Sequence, residues 1–130
     1  MKDIWIIDDD EEMGRAIGLM LKLLDCKVTA FLNARSAVQF LLTGREPELM
    51  IVDVNLPEVS GLDLVEFLRR RTEWKDLPII MLSSESTDVM VDKALHLGAD
   101  TYVTKPATIE ELEKAIGEAL SKHTDTWISE

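Results

Sequence analysis

Short apolar runs alternate with amphipathic segments five times along the chain. The apolar runs are continuous over about four residues, a pattern typical of strands buried on both faces of a parallel sheet. The predicted strands span about 3–8, 27–31, 49–53, 78–82 and 101–104, and the predicted helices span about 11–24, 34–43, 60–71, 86–97 and 108–122. This alternation predicts an α/β domain with a parallel sheet, helices on both faces and right-handed crossovers.

The first and last predicted helices carry their apolar residues at helical spacing, which predicts one buried face on each helix. The face comprises Met13, Ala16, Ile17, Met20, Leu21 and Leu24 on the first helix, and Ile109, Leu112, Ala115, Ile116, Ala119 and Leu120 on the last. Asp10 is a suitable N-cap for the first helix because its side chain can accept from free backbone N–H groups. Gly44 and Gly98 each follow a helical pattern and are predicted to be C′ residues.

Polar side chains stand where four of the predicted strands end. Asp8 and Asp9 follow the first strand, Asp53 ends the third, Ser83 follows the fourth and Lys105 follows the fifth. In open α/β sheets the ligand crevice lies at the carboxyl ends of the strands, so these side chains should converge on one edge. Three carboxylates, a hydroxyl and an ammonium group suit a divalent cation and a phosphoryl group.

Composition and charge narrow the classes of function. The 130 residues fit one domain, and the formal net charge of −11 disfavours direct binding to a nucleic acid. Cys26 is the single cysteine, which excludes an internal disulfide and suits a reducing compartment. No apolar run approaches the roughly 20 residues that span a membrane, and the N-terminal run is too short for a signal peptide. The sequence therefore predicts a cytoplasmic protein.

In their order and spacing these motifs resemble the receiver domains of two-component response regulators, over about residues 2–121. The matching segments are Ile-Ile-Asp8-Asp9-Asp10, Asp53-Val-Asn55-Leu56-Pro57 with Gly61, Met-Leu-Ser83-Ser84-Glu85, Gly98-Ala99-Asp100 and Tyr102-Val-Thr-Lys105-Pro106. The resemblance implies a flavodoxin-like, doubly wound sheet of five parallel strands in the order 2-1-3-4-5, flanked by five helices. It also implies a receiver domain over residues 1–122, followed by a tail over 123–130.

The resemblance assigns a role to each residue of the predicted site. Asp53 would be the phosphoacceptor, and the donor would be a histidine of a sensor kinase or of a histidine phosphotransfer domain. Asp8, Asp9 and Asp53, with the backbone carbonyl of Asn55, would hold Mg²⁺, with Mn²⁺ as an alternative ion. Lys105 would neutralise charge on the phosphoryl oxygens. The chain would then be a phosphorylated switch rather than an enzyme that acts on a separate substrate.

Further positions carry the signal or tune its lifetime in this family. Ser83 resembles the switch hydroxyl and Tyr102 its aromatic partner, while Asn55 and Glu85 stand where the lifetime of the phosphoryl group is adjusted. A cis peptide bond is usual at the step that matches Lys105–Pro106. From the residues alone, plainer alternatives remain for each. These are helix capping for the aspartates, an N-cap or ST-turn for Ser83, a surface lysine before a turn for Lys105, a half-buried strand residue for Tyr102, and solvated loop residues for Asn55 and Glu85.

The predicted output is a surface made of the fourth helix, the fifth strand and the fifth helix. It could bind an effector domain, a docking partner or a second copy of the chain after phosphorylation. Ala107 and Thr101 replace a Phe and an acidic residue that are common in a dimerising subfamily. Ion pairs could still form there, or the residues could be ordinary solvated charges; the candidates are Lys93, Asp100, Glu111 and Lys114.

The three tryptophans and the tail receive separate predictions. Trp5 is expected in the core, and Trp74, between Glu73 and Lys75, is expected as a partly covered surface residue. The segment from Lys122 onward has no partner element and is expected to be loosely held. Trp127 in that segment could contact a partner, or it could be an unremarkable linker residue.

Three alternatives share parts of this pattern. Asp8-x-Asp10 after a strand imitates the nucleophile motif of Mg²⁺-dependent phosphohydrolases of the haloacid-dehalogenase type, although 130 residues leave little room for a substrate-selecting cap. An FMN-binding flavodoxin would share the fold, but the acidic run at 8–12 would repel its phosphate. A receiver fold used only for docking would not need an intact set of acceptor, acidic pair, hydroxyl and lysine.

Overall fold

Five strands and five helices alternate along the chain in the structure, a computed structural model that describes residues 2–123. Strands β1–β5 span Lys2–Ile7, Cys26–Phe31, Leu49–Asp53, Ile79–Ser83 and Thr101–Thr104. Helices α1–α5 span Glu11–Leu23, Ala34–Leu42, Gly61–Arg69, Asp88–Leu97 and Ile109–Ser121. The predicted alternation of strand and helix is confirmed.

The strands form one parallel sheet in the order β2-β1-β3-β4-β5, which confirms the predicted fold. The chain runs outward from β1 in both directions, so the strand order reverses between β1 and β3. Asp8, directly after β1, and Asp53, at the end of β3, therefore flank the point where α/β sheets form their ligand crevice.

The sheet separates two apolar layers, and successive residues of its inner strands enter opposite layers. In β1, Trp5 and Ile7 pack in the layer of α2, α3 and α4, whereas Ile4 and Ile6 pack in the layer of α1 and α5. All five residues of β3 and of β4 are buried. This double burial explains why the strands appear in the sequence as continuous apolar runs.

Each of the five helices within residues 2–123 starts after a residue whose side chain caps it. Asp10 caps α1, as predicted, by accepting from the backbone N–H groups of Glu12 and Met13. The other caps are Asn33, Ser60, Thr87 and Thr108. Because Thr87 is the cap of α4, the predicted helix over 86–97 begins two residues too early. The predicted helix over 60–71 runs past the end of α3 at Arg69.

Two details of the helices differ from their predicted positions. Ala16 lies on the exposed side of α1, outside the predicted apolar face. Gly44 follows the C-cap of α2 with a φ of 94°, as expected of a C′ residue, but Gly98 is itself the C-cap of α4, with a φ of 120°.

The two described tryptophans are both in the core. Trp5 is 3% exposed, as predicted, but Trp74 is only 4% exposed, so its prediction as a surface residue is wrong. The ring of Trp74 packs 6.2 Å from the ring of Phe67, and the Arg71 guanidinium lies 5.3 Å from its centroid. The turn after α3 directs this ring inward while the charged neighbours on either side remain in solvent.

Asp100 is the second residue whose exposure the sequence predicts wrongly. It is 8% exposed and lies before β5, where its carboxylate pairs with Arg69 at 3.1 Å and with His123 at 3.0 Å. It is therefore unavailable for ion pairs across the predicted output surface. On that surface Glu111 instead accepts from the backbone N–H of Thr108.

The beginning of the predicted tail has partners. Lys122 donates to the main-chain oxygen of Asp100, and His123 contacts the Asp100 carboxylate. The expectation of a loose segment is therefore wrong for these two residues, and Trp127 lies outside the described residues. Within residues 2–123, no helix combines the length and the apolar character needed to cross a membrane.

Candidate functional site

The sequence-predicted site residues meet at the carboxyl edge of the sheet. Asp8 follows β1, Asp53 ends β3, Ser83 ends β4 and Lys105 follows β5. Asp8, Asp53 and Ser83 are buried, while the Lys105 side chain is 15% exposed. Parallel strands place all four at one edge because each element ends there, and Asp9 joins them from the loop before α1.

Three carboxylates form a cluster that could hold a metal ion. One oxygen from each of Asp8, Asp9 and Asp53 lies within 4.8 Å of the others. Asp8 Oδ1 accepts from the Asp10 N–H at 3.0 Å. Among the residues that the structure describes, no donor forms a hydrogen bond to the buried Oδ2 of Asp8. This oxygen lies 3.1 Å from the Lys105 ammonium, which it shares with Asp53, and the three adjacent carboxylates together fit a hard divalent cation.

Lys105 is the positive charge of the site. Its Nζ donates to Asp53 Oδ2 at 2.9 Å and lies 3.1 Å from Asp8 Oδ2, where the geometry is that of an ion pair only. Burial alone would lower the pKa of Lys105, but its contacts with Asp53 and Asp8 outweigh burial and raise that pKa. Lys105 is therefore an ammonium ion throughout the neutral range.

At Asp8, unlike at Lys105, the favourable contacts do not outweigh the effects of burial and of a neighbouring like charge on the pKa. Burial raises the pKa of its carboxyl above the usual value, and the nearby charge of Asp53 raises it further. The Asp10 N–H and Lys105 act against this rise without cancelling it. One lysine thus faces three carboxylates, and the excess negative charge favours a bound cation.

The Asp53 carboxylate is fixed at both oxygens. Asp53 Oδ1 accepts from the backbone N–H of Asn55 at 3.0 Å, and Oδ2 accepts from Lys105. The main chain after Asp53 is held by a hydrogen bond of 3.0 Å from the N–H of Val54 to the carbonyl of Leu82 on β4. The carboxylate is consequently oriented before any ligand arrives.

A chain of hydrogen bonds joins Ser83 to Tyr102. The backbone N–H of Glu85 donates to Ser83 Oγ at 3.0 Å, and the Tyr102 hydroxyl donates to the Glu85 carbonyl at 2.6 Å. Ser83 is fully buried and Tyr102 is half-buried. One residue of the loop before α4 therefore connects the two predicted switch positions.

The segment at Lys105 is placed by main-chain contacts. The N–H of Lys105 donates to the carbonyl of Ser83 at 2.8 Å, which continues the pairing of β4 and β5. The Lys105–Pro106 peptide bond is cis, the conformation that the resemblance implied. The side chains of Asn55 and Glu85 are exposed beside the site.

The structure adds one neighbour for which the sequence predicts no role. Gly61, the first residue of α3, lies against the main chain of Asp53. In the sequence, Gly61 belongs to a segment that resembles receiver domains and follows Ser60 directly, but neither feature identifies a contact between α3 and Asp53.

Comparison with known proteins gives one consistent family. The family model described as the response regulator receiver domain matches residues 4–117. A chemotaxis protein CheY homolog from Campylobacter jejuni is 30% identical over 116 residues, which cover 88% of this chain and 89% of that protein. The KDP operon transcriptional regulatory protein KdpE of Escherichia coli is 32% identical over 128 residues, which cover 97% of this chain.

The transcriptional relatives are longer than this chain, which spans 54% of the Escherichia coli protein and 17–54% of the first five curated relatives. Among solved structures, the signal receiver domain of a signal transduction histidine kinase from Syntrophus aciditrophicus is similar with a TM-score of 0.83. It is 29% identical, and the similarity covers 94% of this chain and 92% of that one. Sequence and structure therefore point to the same family.

Proposed function

Since the chain belongs to the family of response regulator receiver domains, we propose that it is a switch that accepts a phosphoryl group on Asp53. The observation that carries this proposal is the buried Asp53 carboxylate, which lies 2.9 Å from the Lys105 ammonium and beside the carboxylates of Asp8 and Asp9. A carboxylate that only capped a loop would not need a buried cation and two further acidic groups.

In the proposed reaction, an oxygen of Asp53 attacks phosphorus in line with the leaving group. The new bond joins this oxygen to phosphorus while the P–N bond to the donor histidine breaks, and the imidazole nitrogen keeps the electron pair of that bond. Phosphoryl transfer has a loose transition state, so positioning and charge neutralisation provide most of the catalysis. The hydrogen bonds from Asn55 and Lys105 supply the positioning.

Lys105 would act on the phosphoryl oxygens. Its ammonium group now pairs with Asp53, and a phosphoryl group on that carboxylate would bring new anionic oxygens within its reach. A compact ammonium group can follow them because its charge is not tied to a planar geometry. Neutralisation by Lys105 would favour both formation and breakdown of the acyl phosphate.

The acidic cluster would hold Mg²⁺ or, as an alternative ion, Mn²⁺. The ligands would be carboxylate oxygens of Asp8, Asp9 and Asp53 with the backbone carbonyl of Asn55, and the grouping of three carboxylates around one lysine supports this assignment. When bound, the ion would supply positive charge to the phosphoryl oxygens. Water would complete its coordination, since Mg²⁺ retains several waters in protein sites.

Signalling would begin at Ser83. A phosphoryl oxygen on Asp53 could accept from the Ser83 hydroxyl, whose oxygen now accepts from the Glu85 N–H, so a shift of the hydroxyl towards the phosphoryl group would pull on that contact. Because Tyr102 holds the carbonyl of Glu85, the same movement would alter Tyr102 and the surface of α4, β5 and α5. The exposed side chains of Asn55 and Glu85 would tune the phosphoryl lifetime through access of water.

The partners follow from this chemistry. The donor would be a sensor histidine kinase or a histidine phosphotransfer domain, in the cytoplasm, and the switched unit would be the receiver domain over residues 1–122. The output would be an effector domain, a separate docking partner or a phosphorylation-dependent homodimer. The longer transcriptional relatives favour an effector domain, because this chain matches about half of the Escherichia coli protein.

The proposal is tested by the intact mass of the chain after incubation with acetyl phosphate and Mg²⁺. We expect one phosphoryl adduct that is lost in Asp53→Asn and in the presence of a chelator. Asp63→Asn is the matched control, because Asp63 is an exposed aspartate on α3 whose loss should leave the adduct unchanged. An unmodified chain under these conditions would instead support a docking module, and steady hydrolysis of an unrelated phosphate ester would support a phosphohydrolase.

A further inference from the structure

We propose that Gly61 is a positioning residue for phosphorylation: its missing side chain lets α3 contact the main chain of Asp53 and thereby fixes the acceptor and the Asn55 loop. The inference rests on the proposed role of Asp53 as phosphoacceptor. It goes beyond that role because it places part of the control of the reaction at the start of a helix that contributes no side chain to the site.

A side chain at position 61 would collide with main-chain atoms at the end of β3. A Cβ at position 61 would overlap the carbonyl oxygen of Asp53 and would lie 2.9 Å from the carbonyl carbon of Asp53 and from Val54 Cα. These are main-chain atoms at the end of a buried strand, so they cannot rotate away as a side chain could. At Gly14, Gly44 and Gly117, by contrast, an added Cβ meets no heavy atom of the described chain within 4 Å.

Backbone conformation does not explain this glycine. The φ of Gly61 lies outside the left-handed region, unlike those of Gly44 and Gly98. Alanine is a better helix former than glycine at the start of a helix that is otherwise regular. The feature of Gly61 that α3 requires is therefore the space that it leaves beside Asp53.

That space controls the loop between Asp53 and α3. The Gly61 N–H donates to the carbonyl of Val54 at 2.9 Å, which closes the loop over residues 54–60. The same loop carries Asn55, whose N–H orients Asp53 Oδ1 and whose carbonyl is a proposed metal ligand. A short contact at Gly61 thus connects α3 to both the nucleophile and the cation site.

The direction of the disturbance can be argued from the contacts. Asp53 pairs with Leu82 in the register of β3 and β4, and Val54 donates to the Leu82 carbonyl, so the strand end is held on one side. An added methyl group on the other side would push the start of α3 and the 54–60 loop outward. A displacement of about 1 Å at a reacting group lowers a rate by about two orders of magnitude.

The test compares Gly61→Ala with Ser60→Ala in the otherwise unaltered chain. Ser60 caps α3 by accepting from the Asp63 N–H at 3.1 Å, so its loss weakens the same helix start without adding an atom beside Asp53. The readouts are the thermal midpoint, the maximal rate of phosphorylation by acetyl phosphate at saturating Mg²⁺, and the Mg²⁺ concentration at half-maximal rate. All rates are measured well below the thermal midpoints.

We expect Gly61→Ala to lower the maximal rate by at least about tenfold and to change the Mg²⁺ concentration at half-maximal rate by less than that. Ser60→Ala should keep a maximal rate within about twofold of that of the unaltered chain. A Gly61→Ala rate within twofold of that chain would overturn the proposal and leave Gly61 a packing residue. Absence of an adduct in the unaltered chain and in Ser60→Ala is a different result, because it removes the proposed function itself and the premise with it.

Folding of the variant is controlled separately. If Gly61→Ala does not fold, the comparison is repeated in a Thr101→Val background, at the opposite edge of the sheet. The buried Thr101 hydroxyl has no hydrogen-bond partner among residues 2–123, so valine should stabilise the chain without touching the site. A Gly61→Ala chain that remains unfolded in both backgrounds would assign this glycine to folding and would overturn the positioning role.

Discussion

Asp8 is the residue whose position in the candidate site most directly lowers the stability of the folded chain. Its side chain is 1% exposed, it stands beside the carboxylate of Asp53, and it shares a single lysine with that carboxylate. Burial raises the pKa of its carboxyl group, which means that folding disfavours the charged form. Without a cation, an ionised Asp8 should therefore destabilise the folded chain.

We predict that Asp8→Asn stabilises the protein at pH 7 in the absence of divalent ions. The amide removes the buried charge and keeps an oxygen that can accept from the Asp10 N–H. The expected increase in the free energy of unfolding is about 0.5–2 kcal/mol, the range usual for a single stabilising substitution. Urea unfolding with a chelator present measures it.

The pH dependence of the stability provides a second test of the predicted gain in Asp8→Asn. The folded chain binds the Asp8 proton more tightly than the unfolded chain, so the penalty on the native protein is complete above the raised folded pKa. It is relieved as the pH falls through that value towards the ordinary 3.8 of the unfolded chain, and the advantage of Asp8→Asn should shrink with it. Asp9→Asn, at an exposed position, should change stability less; an equal gain at both positions would contradict the argument from burial.

At the scale of elements, the buried ion pair of Arg69 and Asp100 joins the ends of three helices, at the edge of the sheet opposite Asp53. Arg69, at the end of α3, donates to the Asp100 carboxylate, to the carbonyl of Gly98 at the end of α4, and to the carbonyl of Trp74. Asp100 also accepts from the N–H of Ile79 at 2.8 Å and contacts the residues that follow α5. All three donor nitrogens of Arg69 are thus used.

We predict that Arg69→Met destabilises the chain by about 3–5 kcal/mol, because it leaves the buried Asp100 charge with less compensation and two carbonyls without their donor. Arg70→Met is the matched control on the same helix. Arg70 pairs with Glu66 on an exposed surface at 3.3 Å, and the loss of such a pair changes stability by about 0.5 kcal/mol or less. Urea unfolding measures both variants.

The double variant separates the ion pair from the carbonyl contacts. Arg69→Met combined with Asp100→Asn should be more stable than the sum of the two single changes predicts, since neither charge is then left unpaired. Additive effects would contradict coupling between the two groups. A cost below about 1 kcal/mol for Arg69→Met would show that water or a neighbouring group replaces the guanidinium.

The errors of sequence prediction are concentrated in these same elements. Continuous apolar runs identify β1, β3 and β4 because those strands are buried on both faces. Trp74 and Asp100 have charged or polar neighbours along the chain, so local pattern predicts exposure for both. Asp100 has a partner that is distant in sequence, since Arg69 lies 31 residues before it, whereas Trp74 packs against Phe67 of α3 and Arg71 of the turn that follows. Such pairings depend on tertiary structure and leave no local periodicity.

At the scale of the whole molecule, the parallel sheet explains why so much of the candidate site is predictable. Asp8, Asp53, Ser83 and Lys105 each end or follow a strand, and parallel pairing brings strand ends to one edge whatever the details of the loops. Contacts made by loops and helix starts do not follow from that rule. The link from Ser83 through Glu85 and the contact of Gly61 therefore emerge only from the three-dimensional structure.

We predict that Mg²⁺ stabilises the whole chain against unfolding. The three carboxylates come from positions up to 45 residues apart, so they meet only in the folded state. A tenfold excess of Mg²⁺ over its Kd should then add about 1.4 kcal/mol to the free energy of unfolding. Differential scanning calorimetry with Mg²⁺ or with NaCl at equal ionic strength measures the rise in Tm.

The effect should be reduced in Asp53→Asn and retained in Asp63→Asn, because only the first change removes a carboxylate of the cluster. An equal rise of Tm in NaCl would assign the stabilisation to general screening of the net charge of −11.

The attachment of Lys122 and His123 to Asp100 fixes the position of the end of α5 relative to β5. Asp100 precedes β5 and Lys105 follows it, so five residues of extended chain, about 16 Å, separate the anchored end of α5 from the candidate site. Lys122 and His123 therefore hold the end of α5 at the edge of the sheet where β5 begins, away from the candidate site. A partner that docks at this end of the domain would sense the proposed phosphorylation of Asp53 through a change in the surfaces of α4 and α5.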